Sequence, residues 1–318
     1  MIRTIALLLA VLLTQEGKKQ AAPVGPGAEE LAKLVPLTDP GFGEYKGEKG
    51  GLYGEGRNDP PEAHAERVGR EIAQIRPLDG EGKPAADGKI VFLALGMSNT
   101  RREFEVFKEK ADALPSKSPA VVIVNGSLGG KDAPRWTDPS AAVWTQVDEA
   151  VQGAGVTVRQ VQAVWLKQAC AGAAGYGEFP KHARTLQKAL GLIVQHARAR
   201  YPNLRVVYLS SRIYGGYART PLNPEPYAFE GAFAVRWLIQ DQMAGKPELN
   251  FDSSRGAVKA PALLWGPYLW AGGRVWKESD FDKDGTHPGD EAKRKVSELL
   301  AAFLTQDPRA RPWFVRGP

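Results

Sequence analysis

A serine, a histidine and an aspartate occupy positions from which the chain can bring them together for nucleophilic catalysis. Ser98 follows an apolar run, Lys89–Leu95, and precedes a segment with helical spacing, Arg101–Leu114. His287 and Asp284 stand three residues apart near the end of the chain, so one turn can present both side chains. A hydroxyl nucleophile needs a base, and the base needs an orienting group. Ser98 is the candidate nucleophile, and because Gly-x-Ser is common in turns, the prediction depends on these two partners.

The other histidines are less suited to act as the base. The chain has four His, and three of them fall inside predicted helices among charged residues. A packed or solvated ring is expected there, which applies to His64, His182 and His196. His287 instead lies in a short loop between the last predicted strand and the last predicted helix.

Strand and helix patterns alternate from residue 60 onward. The predicted buried strands are Lys89–Leu95, Ala120–Asn125, Val161–Leu166, Leu204–Ser210 and Ala262–Trp265. The predicted helices are Pro61–Ile75, Arg101–Leu114, Ser140–Ala154, Phe179–Tyr201, Glu230–Met243 and Asp290–Leu304. This alternation favours an α/β fold with a parallel sheet covered by helices on both faces. Ligands bind such sheets outside the carboxyl ends of the strands, so the residues after each strand are expected to share one cleft.

Composition excludes several function classes. With 43% apolar and 25% charged residues, the chain has the composition of a globular protein. Its net charge of +6 comes from scattered basic residues without a basic stripe, so nucleic acid binding is not expected. The one Cys, Cys170, excludes an internal disulfide and a Cys-based zinc site. Neither a Walker loop nor G-x-G-x-x-G is present, and no cofactor is expected.

The N-terminus has the pattern of an export signal. Arg3 precedes the apolar run Ile5–Leu13, which is too short to span a bilayer as a helix. Residues 1–22 are therefore predicted to be a secretory signal peptide, with an uncleaved signal anchor as the alternative. The Gly/Pro-rich segment 23–60 is predicted to be a linker or extended arm laid over the folded domain, residues 61–318.

Three blocks resemble those of the SGNH/GDSL hydrolases. They are Gly96-Met97-Ser98-Asn99, Gly129-Gly130, and Asp284-Gly285-Thr286-His287-Pro288. The first block is most similar to the sialate O-acetylesterase-like and acetylxylan esterase-like branch, and the resemblance covers roughly residues 89–304.

The resemblance implies a fold and a mechanism. The fold is a flavodoxin-like three-layer α/β/α sandwich with a central parallel sheet of about five strands, and the activity is ester hydrolysis through an acyl-enzyme. Ser98 would be the nucleophile, His287 the general base and acid, and Asp284 the group that orients His287. The oxyanion would be held by the backbone N–H groups of Ser98 and Gly130, with Gly129 as the alternative to Gly130.

One block departs from the family pattern. The family supplies a third oxyanion donor from an Asn side chain, or carries Trp-x-Gln-Gly-Glu, whereas this chain reads Trp165-Leu166-Lys167-Gln168-Ala169. Gln168 offers the same amide on a longer stem, and Lys167 offers a charge instead. Loss of such a donor costs ~10²–10³ in rate, so the identity of this residue matters.

A calcium-binding motif overlaps the histidine loop. Residues 280–291 satisfy the EF-hand spacing D-x-D-x-D-G-x₅-E, with Asp280, Asp282, Asp284 and Glu291 as carboxylates. Pro288 interrupts the loop, and His287 takes a position that is normally apolar. A Ca²⁺ ion on Asp284 would deprive His287 of its partner, so the two interpretations largely exclude each other, and no metal is the favoured prediction.

The sequence therefore predicts a secreted or periplasmic serine esterase. The favoured substrates are O-acetyl groups on a carbohydrate, contacted by Asn99, Lys167 or Arg212. Neither nucleic acid nor, after removal of the signal, a membrane is an expected partner. The alternative is a non-catalytic carbohydrate-binding protein that uses the same cleft.

Overall fold

The central sheet has five parallel strands. A computed structural model describes residues 22–317. The strands of this sheet are β3 (Ile90–Gly96), β4 (Val121–Asn125), β5 (Val161–Lys167), β6 (Val206–Ser210) and β7 (Ala262–Trp265). Their spatial order is β4-β3-β5-β6-β7. This is the doubly wound order of flavodoxin-like folds, in which the chain reverses direction beside the first strand of the sheet.

Helices cover both faces of the sheet. They are α2 (Glu62–Ile72), α3 (Ser98–Asp112), α4 (Ala142–Gly153), α5 (Lys181–Arg200), α6 (Tyr227–Met243), α7 (Asp290–Gln306) and the short α8 (Arg311–Phe314). Helix α3 packs against α7, which in turn contacts α8, and α5 packs against α6. The predicted three-layer α/β/α architecture is confirmed.

Four of the five strands are largely apolar runs that are covered on both faces of the sheet. Every residue of β3, β5, β6 and β7 is buried, as expected for a parallel sheet covered on both faces. Each predicted strand and helix is present. The main difference lies at α3, which begins at Ser98 itself and not at Arg101, so the candidate nucleophile is the first helical residue.

The N-terminal arm contacts β7, which is one of the two edge strands of the central sheet. It contains a single helical turn, α1 (Ala28–Leu31), and a two-stranded ribbon of β1 (Glu44–Tyr45) and β2 (Glu48–Lys49). Trp265 in edge strand β7 donates its backbone N–H to Tyr53 Oη at 3.2 Å and its indole N–H to the carbonyl oxygen of Leu52 at 2.7 Å. Covering an edge strand in this way removes a template for aggregation.

The predicted signal peptide, residues 1–22, lies outside the described residues except for its last residue. Within residues 22–317, no helix is long and apolar enough to cross a bilayer.

The sheet fixes the nucleophile through a close backbone approach at Gly96. A Cβ atom on Gly96 would lie 2.4 Å from Thr100 Oγ1 and 2.6 Å from the carbonyl oxygen of Lys167. Thr100 Oγ1 donates to that same carbonyl at 2.8 Å. This contact ties the first turn of α3, and so Ser98, to strand β5.

We predict that Gly96→Ala lowers the free energy of unfolding by roughly 1–3 kcal/mol, because the added methyl group must displace the Thr100 contact. Gly153→Ala is the matched control, since its Cβ would meet nothing within 4 Å, and a helical Gly→Ala change is expected to stabilise by up to ~1 kcal/mol. Urea denaturation of both variants provides the measurement. Equal stabilities would contradict the steric account.

Candidate active site

The three residues identified from the sequence form one hydrogen-bonded relay. Ser98 Oγ lies 2.9 Å from His287 Nε2, although the two residues are 189 positions apart. His287 Nδ1 lies 2.6 Å from Asp284 Oδ2. With the ring proton on Nδ1, the imidazole donates to Asp284 and its Nε2 accepts the Ser98 hydroxyl proton. This is the arrangement that a base-activated hydroxyl nucleophile requires.

The histidine loop is built around the Asp284 carboxylate. Its second oxygen, Oδ1, accepts the backbone N–H groups of Thr286 and His287, both at 2.9 Å. Gly285 allows the turn because its φ is +62°, and a Cβ there would lie 1.7 Å from the carbonyl oxygen of Tyr217. Only glycine fits this position. The sequence Asp-Gly-Thr-His therefore folds into a turn that presents both side chains to Ser98.

Hydrogen bonding keeps Asp284 ionised. Burial raises the pKa of this carboxyl, but the bonds from the His287 backbone and ring and from the Thr286 backbone outweigh burial, so the pKa lies below its ordinary value of 3.8. An ionised carboxylate at this position stabilises the imidazolium that forms when His287 accepts a proton.

Ser98 and His287 open onto a cavity of about 320 Å³. The residues that line it are Met97, Ser98, Asn99, Gly130, Lys131, Asp132, Ala169, Cys170, Ala171, Arg212, Leu222, Asn223, Thr286 and His287. Larger clefts lie between α5 and α6 and beside the N-terminal arm, but neither contains Ser98 or His287.

Backbone amides are available for a developing oxyanion. The N–H of Ser98 is at the first helical position, where it has no intrahelical acceptor. Gly130 lines the cavity with a φ of +69°, and its N–H has no acceptor among residues 22–317. Gly129, the alternative, does not line the cavity. The geometry thus favours Ser98 with Gly130.

Gln168 is not among the residues that line the cavity, which corrects the expectation that its amide is the third donor. The side chain is buried, and Nε2 donates to the carbonyl oxygen of Lys131 at 3.2 Å. Gln168 therefore fixes the backbone of the loop that follows β4, the loop to which Gly130 belongs.

The expectation that Lys167 contacts substrate is also corrected. Its side chain is fully buried and forms an ion pair with Glu103, which is equally buried. Burial is the main reason that the pKa of Lys167 falls to about 8, an effect that Glu103 opposes. Lys167 cannot meet a ligand without breaking this pair.

The carboxylates of the calcium-binding motif make other contacts in the structure. Asp280 pairs with Lys295 at 2.7 Å, and Asp282 with Arg102 at 2.5 Å. Asp284 holds His287, and Glu291 pairs with Arg294. Within the described part of the chain, no group of three or more His, Cys, Asp or Glu is placed to hold a metal ion.

Asn99 and Arg212, the other expected substrate contacts, both line the cavity and share an acceptor. Asn99 Nδ2 donates to the carbonyl oxygen of Thr286 at 3.0 Å, and Arg212 Nη2 donates to the same oxygen at 3.4 Å. Since Thr286 directly precedes His287, both residues help to position the catalytic loop.

Sequence reasoning missed three polar residues of the cavity wall, Lys131, Asp132 and Asn223. Lys131 lies one residue after the Gly129-Gly130 pair, so its position beyond a strand end could have indicated it. Asn223 lies in a Pro-rich loop far from any strand end, and no local pattern indicated it. The three remaining histidines are structural, as expected: His64 and His196 contact backbone carbonyls and His182 contacts Glu230.

Comparison with known proteins gives only distant likenesses. No family model and no curated protein matches the chain. Among solved structures, it is similar to a putative acylhydrolase from Bacteroides fragilis, with 15% identity, 76% of this chain and 96% of that chain covered, and a TM-score of 0.40. A GDSL-like lipase from Bacteroides thetaiotaomicron shows 14% identity over 75% of this chain and 95% of that chain, with a TM-score of 0.33. A salicylyl-acyltransferase from a tetracycline biosynthetic pathway shows 14% identity over 71% of this chain and only 58% of its own length, with a TM-score of 0.38. The assignment of chemistry to this site therefore rests on the distances between its own residues.

We predict that Asp284→Asn lowers kcat for ester hydrolysis by about 10⁴, because an amide favours the wrong imidazole tautomer. Asp282→Asn, two residues away on the same loop, is the control. It removes an exposed ion pair with Arg102, so its kcat should stay within about twofold of the wild type. A similar loss in both variants would show that the loop, and not the carboxylate, is responsible.

The same variant has an expected effect on stability. Because the pKa of Asp284 lies below its ordinary value of 3.8 in the folded chain, its carboxylate stabilises the fold fully above that value, and this stabilisation is lost as the pH falls through the lowered pKa. The difference in unfolding free energy between the wild type and Asp284→Asn should therefore be largest near neutral pH and should shrink below about pH 4. Urea denaturation from pH 3 to 7 measures it, and a constant difference would contradict the assigned shift.

Proposed function

We propose that this protein is a serine esterase of the SGNH/GDSL type, which hydrolyses carboxylic esters through an acyl-enzyme on Ser98. The observation that carries the proposal is the relay from Ser98 Oγ through His287 to Asp284 at the wall of a cavity. Each of its three groups has the placement that its role in acyl transfer needs.

The first half of the reaction forms the acyl-enzyme. Ser98 Oγ attacks the ester carbonyl carbon while His287 Nε2 takes the hydroxyl proton. Negative charge gathers on the carbonyl oxygen, where the N–H groups of Ser98 and Gly130 stabilise it. The tetrahedral intermediate then collapses, the C–O bond to the alcohol breaks, and His287 gives its proton to the leaving oxygen.

The second half returns the enzyme to its starting state. A water molecule gives a proton to His287 and attacks the acyl carbon. The intermediate collapses to the free acid, and Ser98 Oγ recovers its proton from His287. Throughout, Asp284 stays ionised and holds the ring by Nδ1.

The favoured substrates are esters with a short acyl group, and O-acetylated carbohydrates are the favoured class. A cavity of about 320 Å³ is at the lower end of ligand pockets. Its apolar wall includes Met97, Ala169, Ala171 and Leu222, which suit a small acyl group. None of the described lining residues is Phe, Trp or Tyr, so the carbohydrate part of the proposal rests on the resemblance of the sequence blocks.

A non-catalytic carbohydrate-binding protein is the second candidate. The lack of a third oxyanion donor favours it, because the Gln168 amide donates to the carbonyl oxygen of Lys131 and Gln168 does not line the cavity. The intact relay favours the enzyme, since a binding protein would not need a serine, a histidine and a carboxylate joined by hydrogen bonds.

We also propose that the protein acts outside the cytoplasm. The proposal rests on the basic residue and apolar run within residues 1–22, which have the pattern of a secretory signal. Cell fractionation of the full-length chain tests it.

We predict that 4-nitrophenyl acetate is hydrolysed by the wild type, and that a fluorophosphonate reagent labels Ser98 and stops the reaction. Ser98→Ala should lose at least ~10³ in kcat, since only the oxyanion site and binding remain. Ser127→Ala is the matched control, because Ser127 is a buried loop serine outside the relay. An adduct mapped to any other serine would end the assignment, and an inactive wild type would favour the binding protein.

Activity should also survive EDTA, because no step uses a metal ion. The measurement is the rate before and after chelation, with Ca²⁺ added back afterwards. Recovery of a lost rate by Ca²⁺ would contradict the mechanism and restore the calcium interpretation of residues 280–291.

A further inference from the structure

Arg212 has a buried guanidinium, and the described residues offer it almost no hydrogen-bond acceptors. It is 3% exposed and lines the cavity that contains Ser98 and His287. Its one hydrogen bond within residues 22–317 runs from Nη2 to the carbonyl oxygen of Thr286, and at 3.4 Å this bond is long. A guanidinium carries five N–H donors, and leaving them unpaired in a buried position is costly.

The neighbouring acids have other partners. Glu103 forms an ion pair with Lys167 through Oε2, and its buried Oε1 has no hydrogen-bond partner among the described residues. Glu225 accepts the N–H groups of Gly215 at 2.8 Å and Phe229 at 2.9 Å. It also accepts the indole N–H of a tryptophan at 2.6 Å.

These acids lie close enough to act on Arg212 through space. Burial lowers the pKa of Arg212, whereas Glu103, Glu225 and Asp284 oppose that shift. Yet none of the described carboxylates lies within 4 Å of the guanidinium, so it has favourable surroundings but no direct anionic partner.

A second cation lines the same cavity. Lys131 is half-buried, and its Nζ has no acceptor among the described residues. Its backbone is fixed, because its carbonyl oxygen accepts both Gln168 Nε2 and Trp136 Nε1. Asp132 also lines the cavity, and its Oδ2 accepts the backbone N–H of Ala171 at 2.9 Å.

We propose that Arg212 binds a carboxylate carried by the ester substrate, with Lys131 as a second cationic contact, so that the enzyme selects anionic esters over neutral ones. The inference rests on the proposed esterase function and specifies its substrate class. A carboxylate matches the planar fork of a guanidinium and forms charge-assisted hydrogen bonds with it. Such a ligand supplies the acceptors that the fold does not.

The carboxylate can come from either half of the ester. In one case it belongs to the alcohol, as in an O-acetylated uronic acid. In the other it belongs to the acyl group, as in a monoester of succinic acid. Both share the chemistry that Arg212 recognises, and two matched pairs of substrates separate them.

The experiment compares kcat/KM for anionic and neutral esters. The first pair is an O-acetylated uronic acid and its methyl ester, followed by acetate release. The second pair is the 4-nitrophenyl ester of succinic acid and that of monomethyl succinate. We expect the wild type to prefer the anionic member of one pair by at least ~10-fold, as a charged hydrogen bond supplies.

Variants assign this preference to the guanidinium. In Arg212→Gln the ratio of anionic to neutral kcat/KM should fall to about one, whatever the absolute rate. Arg212→Lys should retain part of the ratio, because it keeps the charge. Arg70→Gln, an exposed arginine on α2, should keep the wild-type ratio.

Each other result overturns a defined part of the proposal. An active wild type with no charge preference in either pair rejects the anionic substrate and leaves the esterase intact. An unchanged preference in Arg212→Gln assigns the selection to another residue, and this also rejects the role of Arg212. A wild type that hydrolyses no ester rejects the proposed function itself. If Arg212→Gln does not fold, the wild-type ratio and Arg212→Lys decide the question.

Discussion

The hydrogen bond from the Asn99 side chain to the backbone of Thr286 joins the two halves of the candidate active site, beside the contact between Ser98 and His287. Asn99 Nδ2 donates to the carbonyl oxygen of Thr286 at 3.0 Å, across 187 positions of sequence. On one side of this contact the chain places Ser98, and on the other it places His287. A shift of about 1 Å in such a geometry can cost ~10² in rate, so the site depends on how firmly these two segments are held together.

Helix packing and close backbone contacts hold the two segments that make this contact in place. Helix α3 carries Ser98 and Asn99 and packs against α7, which follows the histidine loop. The close approach at Gly96 ties the start of α3 to β5, and Gly285 lets the histidine loop lie against the backbone at Tyr217. Backbone contacts of this kind leave little freedom, and they preorganise the relay at the expense of sequence tolerance at both glycines.

Several charged groups are buried near the site, and not all of them have a partner of opposite charge or a full set of hydrogen bonds. Glu103 and Lys167 neutralise each other, and Glu225 is held by neutral N–H donors. Arg212 remains with one long hydrogen bond. Buried charges that lack partners are rare because desolvation is expensive, and they concentrate at sites that bind something.

The layout of strands and helices could be predicted from the sequence because four of the five strands of the central sheet are runs buried on both faces. The relay could be predicted because its residues follow strand ends or share one tight turn. The roles of Lys167 and Gln168 could not. Lys167 ends β5 and Gln168 follows it, but only tertiary packing decides that the first contacts Glu103 and the second the carbonyl oxygen of Lys131.

The most direct test of the central claim is to trap the covalent intermediate during turnover. The wild type is mixed with 4-nitrophenyl acetate and quenched in acid within the first turnovers, and the intact mass and its peptides are then measured. The account predicts one added acetyl group per chain, located on the peptide that contains Ser98. Continued turnover with no acyl adduct, or an adduct on a different residue, would contradict it.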